Sequence, residues 1–142
     1  MRAACGSGLI LAVVVWAAPA RAAENEVSGS AAYFTESGAA LAVTLGHYWD
    51  LAGVSLGPRV GFAYLTNPNS AGVPLDVVVR IPLAAIYLEG QAGLWLLFSR
   101  APTARFHATG GVGLTLGFLR IGAEAGYLYS GGLIGGRISF AF

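Results

Sequence analysis

Beyond the N-terminal region, apolar residues alternate with small or polar ones in runs of about ten, separated by clusters of turn-forming residues. A period of two predicts strands. Eight segments follow it, at 26–35, 39–49, 52–65, 73–83, 86–98, 105–116, 119–129 and 133–142. The pattern is sharpest toward the C-terminus. In 105–116, Phe106, Ala108, Val112, Leu114 and Leu116 share one face, and Arg105, His107, Thr109, Gly111, Gly113 and Thr115 share the other. In 119–129, Leu119, Ile121, Ala123, Ala125, Tyr127 and Tyr129 oppose Arg120, Gly122, Glu124 and Gly126. In 133–142, Ile134, Ile138, Phe140 and Phe142 oppose Arg137 and Ser139.

Charges fall on the small-residue face. A soluble calycin barrel, with Trp95 lining an apolar ligand cavity, would have an apolar interior and a polar exterior. This chain predicts the inverse, an apolar surface around a polar lumen. The fold expected is all-β, an up-and-down antiparallel transmembrane β-barrel of about eight strands. Tyr87 and Trp95 have inward parity. The mid-strand glycines Gly57, Gly61, Gly111, Gly113, Gly122 and Gly126 fall mostly inward, where they save space. Tyr48, Trp49, Tyr64, Phe98, Phe106, Phe118, Tyr127, Tyr129 and Phe142 lie near segment ends, where interfacial aromatic girdles form.

Turns fix register. A two-residue turn at Ala84-Ala85 sets Leu83 against Ile86 outside and Arg80 against Glu89 inside. One at Gly117-Phe118 sets Leu116 against Leu119. A turn near 130–132 brings Glu124 opposite or diagonal to Arg137. Asp50-Leu51 is read as the remaining short turn on that end, and 66–72 and 99–104 as the longest connections on the other.

Composition narrows the class. Charged residues are 11% of the chain, against a usual quarter or so, and all eight basic residues are arginine. A net charge of +1 excludes a strongly basic nucleic-acid surface. Helical spans need about 17–25 apolar residues. The longest uncharged stretch after the N-terminal region, 60–75, contains Asn67-Pro68-Asn69-Ser70, and glycine recurs throughout, which disfavours a helical bundle. At the N-terminus, Met1-Arg2, an apolar run at 9–18 and Ala20-Arg21-Ala22 have the form of a secretory signal with cleavage near Ala22/Ala23. The expected organisation is a signal peptide over 1–22 and a barrel domain over 23–142. Cys5 falls within the signal, leaving no thiol in the barrel, and two histidines, His47 and His107, are too few for a conventional zinc site. No metal or cofactor is expected.

Gly111-Val112-Gly113-Leu114-Thr115-Leu116, Ile121-Gly122-Ala123-Glu124-Ala125-Gly126-Tyr127 and the ending Gly136-Arg137-Ile138-Ser139-Phe140-Ala141-Phe142 resemble the superfamily of small eight-stranded outer-membrane β-barrels. The resemblance covers about the last forty residues well and the rest by pattern. It implies an outer-membrane location and contact with outer-membrane lipid. It also implies that Ile138, Phe140 and Phe142 form the terminal signal read by the barrel-assembly machinery. The glycine usual nearer the end falls here at Gly135 or Gly136.

The predicted interior carries Arg59, Asp76, Arg80, Glu89, Glu124 and Arg137, three charges of each sign. A lumen of eight strands is just wide enough to be filled by side chains, so these should pair and plug it. The function expected is structural or surface-interacting and not enzymatic. A small pore for ions or solutes is the alternative, and a lipid-modifying enzyme a third reading. His107, with Ser99 and Thr103 nearby, is the only hint of a hydrolase, and no serine here pairs with a histidine in a recognisable motif.

Overall fold

In the computed structural model, residues 21–142 are described apart from 37, 68, 100 and 130. The expected signal peptide lies outside the described residues except for Arg21 and Ala22, which begin the first strand. The strands are β1 (Arg21–Phe34), β2 (Gly38–Leu51), β3 (Val54–Thr66), β4 (Asn69–Leu83), β5 (Ile86–Phe98), β6 (Thr103–Leu116), β7 (Leu119–Leu128) and β8 (Gly131–Ala141). Each pairs antiparallel with the next, and β8 pairs with β1 to close the ring. The fold is a closed eight-stranded antiparallel barrel.

The ring closes with an offset that the pairings make explicit. Stepping from Glu26 through Gly46, Arg59, Asp76, Gly93, His107 and Leu128 leads to Gly131 on β8. The partner that β1 presents to β8 at Glu26 is instead Ala141, ten residues further on. Ten rises of about 3.3 Å across eight inter-strand spacings of about 4.8 Å require strands tilted by about 40°. Strands of 10–15 residues at that tilt are long enough to cross a hydrocarbon layer.

The turns at 52–53, 84–85 and 117–118 lie at one end with both chain termini, here called the terminal end. The connections at 35–37, 67–68, 99–102 and 129–130 lie at the other, the loop end. The turns at 84–85 and 117–118 stand where the sequence places them. The turn expected at Asp50-Leu51 stands two residues later, at Ala52-Gly53. Both residues there have positive φ, 57° and 84°, as a type I′ hairpin needs, and Asp50 Oδ1 accepts from Gly53 N at 2.8 Å. The long loop expected over 66–72 is also corrected. The ladder resumes at Asn69, where Asn69 and Ser70 pair with Thr66 and Leu65, and Tyr64 donates its hydroxyl proton to Asn69 Oδ1 at 2.8 Å. Asn-Pro marks that turn, and the polar residues after it belong to the strand.

The outer surface is apolar from end to end. Val43, Leu45, Phe62, Val77, Leu88, Leu94, Val112, Leu114, Ile134 and Ile138 are among its exposed side chains. Trp49, Phe98, Phe106, Phe118, Tyr127, Tyr129 and Phe142 also face out, and Tyr64 is half-buried. Tyr48 is the correction. It is 1% exposed and lies inside, because Tyr48 and Trp49 are adjacent and a strand must point one of the two inward.

Candidate functional site

Among the described residues, the lumen gathers most of the charge, and its filling changes along the axis. At the loop end, Phe34, Leu65, Trp95, Leu97, Leu128 and Leu133 pack with Ala32, Ala40, Ala42 and Ala63 into one buried cluster. The polar lumen expected from the sequence is therefore only part of the interior. Below this cap, toward the terminal end, the interior is ionic.

Two glutamates organise the ionic half. Glu89 accepts from Arg80, with Nη2 at 2.6 Å, from Arg59 at 3.1 Å and from Arg137. Glu26 accepts from Arg80 at 2.9 Å, from Arg120 at 2.9 Å and, more loosely, from Arg59 at 3.4 Å. Arg137 also pairs with Glu124, and Gln91 Oε1 accepts from both Arg59 and Arg137. Arg120 grips Glu24 through both carboxylate oxygens, at 2.6 and 2.9 Å. Four arginines thus face four glutamates in one connected cluster. The strand tilt makes it possible, because it brings residues from β1, β3, β4, β5, β7 and β8 to neighbouring levels.

Arg80 sits at the centre. Its guanidinium carbon is 5.0 Å from the Tyr48 ring centroid and 5.2 Å from that of Tyr87, within cation–π range of both. The Tyr48 hydroxyl also accepts from Arg59 Nε at 3.0 Å. Glycines make room for these rings. A Cβ at Gly46 would run into Tyr48, and a Cβ at Gly113 or Gly122 would run into Tyr87. The inward glycines at 57, 61, 111 and 126 are likewise closed to a side chain, there by neighbouring backbone.

All six charges expected inside are there. Arg80 meets Glu89, in register, and Glu124 meets Arg137 diagonally, since their register partners are Gly135 and Gly122. Arg59 and Asp76 are register partners, yet each turns elsewhere. Arg59 joins the glutamate cluster, whereas Asp76 Oδ1 lies 3.2 Å from His107 Nδ1. The His107 ring rests against Trp95 with centroids 5.2 Å apart. Glu26, Glu24, Gln91, Arg120 and Tyr48 complete the cluster; of these only Arg120 is placed inside by the sequence pattern, which reads Tyr48 as an interfacial aromatic. Their inward parity was the available signal. Ile138, Phe140 and Phe142 point outward along β8. Phe142 exchanges backbone hydrogen bonds with Asn25, at 2.9 and 3.1 Å, so the last residue takes part in ring closure.

The hydrolase geometry is not assembled around His107. Its bond runs to Asp76 deep in the lumen, while the Ser99 hydroxyl donates to the Ala101 carbonyl at 2.6 Å in the β5–β6 connection and Thr103 is exposed. No group of three or more potential metal ligands occurs among the described residues.

No protein-family model and no curated protein matches the chain. Solved structures do. A designed transmembrane β-barrel superposes with a TM-score of 0.66 at 16% identity, covering 84% of this chain and 95% of the design. Neisserial surface protein A superposes with a TM-score of 0.58 at 8% identity, covering 87% of this chain and 99% of that one. At such identities the likeness is one of fold, and the fold is that of small transmembrane barrels.

Proposed function

We propose that this chain is an outer-membrane protein, exported by a signal peptide cleaved near Ala22/Ala23, whose barrel serves the envelope as a closed structural element. One observation carries the reading. An apolar cluster lies toward one end of the lumen, and paired charges lie below it. An interior of this kind gives solutes no passage. The apolar exterior supports residence in lipid, and the likeness to a neisserial surface protein supports the outer membrane. Cleavage before Ala23 would trim β1 by only Arg21 and Ala22, leaving Glu24 and Glu26 in place.

Ile138, Phe140 and Phe142 fit a signal for the barrel-assembly machinery, on the strand that closes the ring. The loop-end connections of two to four residues leave little to engage a partner, which favours a structural role over adhesion. The reading is non-enzymatic, since neither Ser99 nor Thr103 is positioned by His107.

Planar-bilayer recording tests it directly. The purified barrel should add no conductance steps above the lipid background. Reproducible single-channel steps would replace this reading with that of a small pore.

A further inference from the structure

Between the apolar cap and the ionic cluster lies a small cavity of about 20 Å³. Its lining includes Trp95, His107, Asp76, Arg59 and Arg137. Trp95 is 5% exposed, and its indole Nε1 is buried without an acceptor among the described protein atoms. A buried N–H without a partner is costly enough that its site should supply one.

We propose that this cavity is a water-binding site built into the lumen, holding one or two ordered waters that accept from Trp95 Nε1 and donate to the Asp76 carboxylate. The size fits, because a water needs roughly 10–15 Å³ of such space. The chemistry fits water better than an ion. The occupant must accept from an indole N–H, which a cation does not do, and a cation there would also face Arg59 and Arg137. An anion there would face the Asp76 and Glu124 carboxylates, which both line the cavity. A neutral donor–acceptor the size of water suits a lining that carries charges of both signs. The site joins the two halves of the lumen, since Trp95 belongs to the apolar cap while Asp76 and His107 lie beside the ionic cluster.

The test is a nuclear magnetic resonance measurement on the ¹⁵N-labelled barrel folded in detergent micelles. The Trp95 indole resonance is assigned by its disappearance in Trp95→Phe. It should show a cross peak to water with the sign expected of a water that tumbles with the protein, while the indole of outward-facing Trp49 should not. Ala42 also lines the cavity, so Ala42→Val should fill the space and abolish the Trp95 cross peak. A gel mobility that differs between unboiled and boiled samples, as a closed barrel gives, would show that this variant still closes. Absence of the cross peak in the native chain would overturn the proposal. So would a cross peak that persists in folded Ala42→Val, because the water would then lie elsewhere.

Discussion

The two halves of the lumen are filled by opposite means. The loop-end half uses Phe34, Leu65, Leu97, Leu128 and Leu133, whose contacts are many, weak and non-directional. The terminal-end half uses four arginines and four glutamates, whose contacts are few and directional. An apolar filling loses stability in proportion to what is removed, whereas an ionic one fails through what is left behind. Taking one member from a buried ion cluster strands its partners unpaired in a low-dielectric interior.

That contrast can be broken by substitution. The largest effect should come from Glu89→Ala, which takes an acceptor from Arg59, Arg80 and Arg137 together. A loss of about 3–5 kcal/mol in the stability measured by urea unfolding is expected. A loss below about 1 kcal/mol would mean that the arginines find water readily and that the half is not sealed. Next comes Leu128→Ala in the apolar half, where a fully buried side chain is truncated. It should cost about 2–4 kcal/mol, and Leu128→Met should recover most of that, as a packing contribution would. The smallest and sharpest effect is a coupling. In a double-mutant cycle of Glu124→Ala and Arg137→Ala, the double variant should be more stable than the sum of the singles implies, by about 1–2 kcal/mol. Simple additivity would show that this pair does not act as a unit.

The same division explains what could be read in advance. The ionic half was legible because a charge on a small-residue face declares its side. The two-residue turn at Ala84-Ala85 then sets Arg80 against Glu89 with little freedom. The apolar cap was not legible. At the loop end inward residues sit beside outward apolar ones, as in Tyr33-Phe34, Tyr64-Leu65, Leu96-Leu97, Tyr127-Leu128 and Leu133-Ile134. Where both faces are apolar the alternation vanishes, and a run of this kind reads the same for a membrane strand and for a buried one. Tyr48 was lost to the same ambiguity beside Trp49. The meeting of Glu26 with Arg80, 54 residues apart, depends on the ten-residue offset at closure, which no local turn encodes.

Ring closure also bears on how such a chain comes to exist. Of the eight strands, the one that seals the barrel is made after the other seven, and it pairs with the first. Contacts such as Gly132 N to Thr35 Oγ1 join residues 97 apart. Until β8 is made, β1 has an unpaired edge and every outward leucine, valine and phenylalanine is without lipid. A newly made chain of this kind is an aggregation hazard until the ring closes. If the chain is an outer-membrane barrel as proposed, its yield would then depend on how well such chains are kept apart from one another until β8 meets β1.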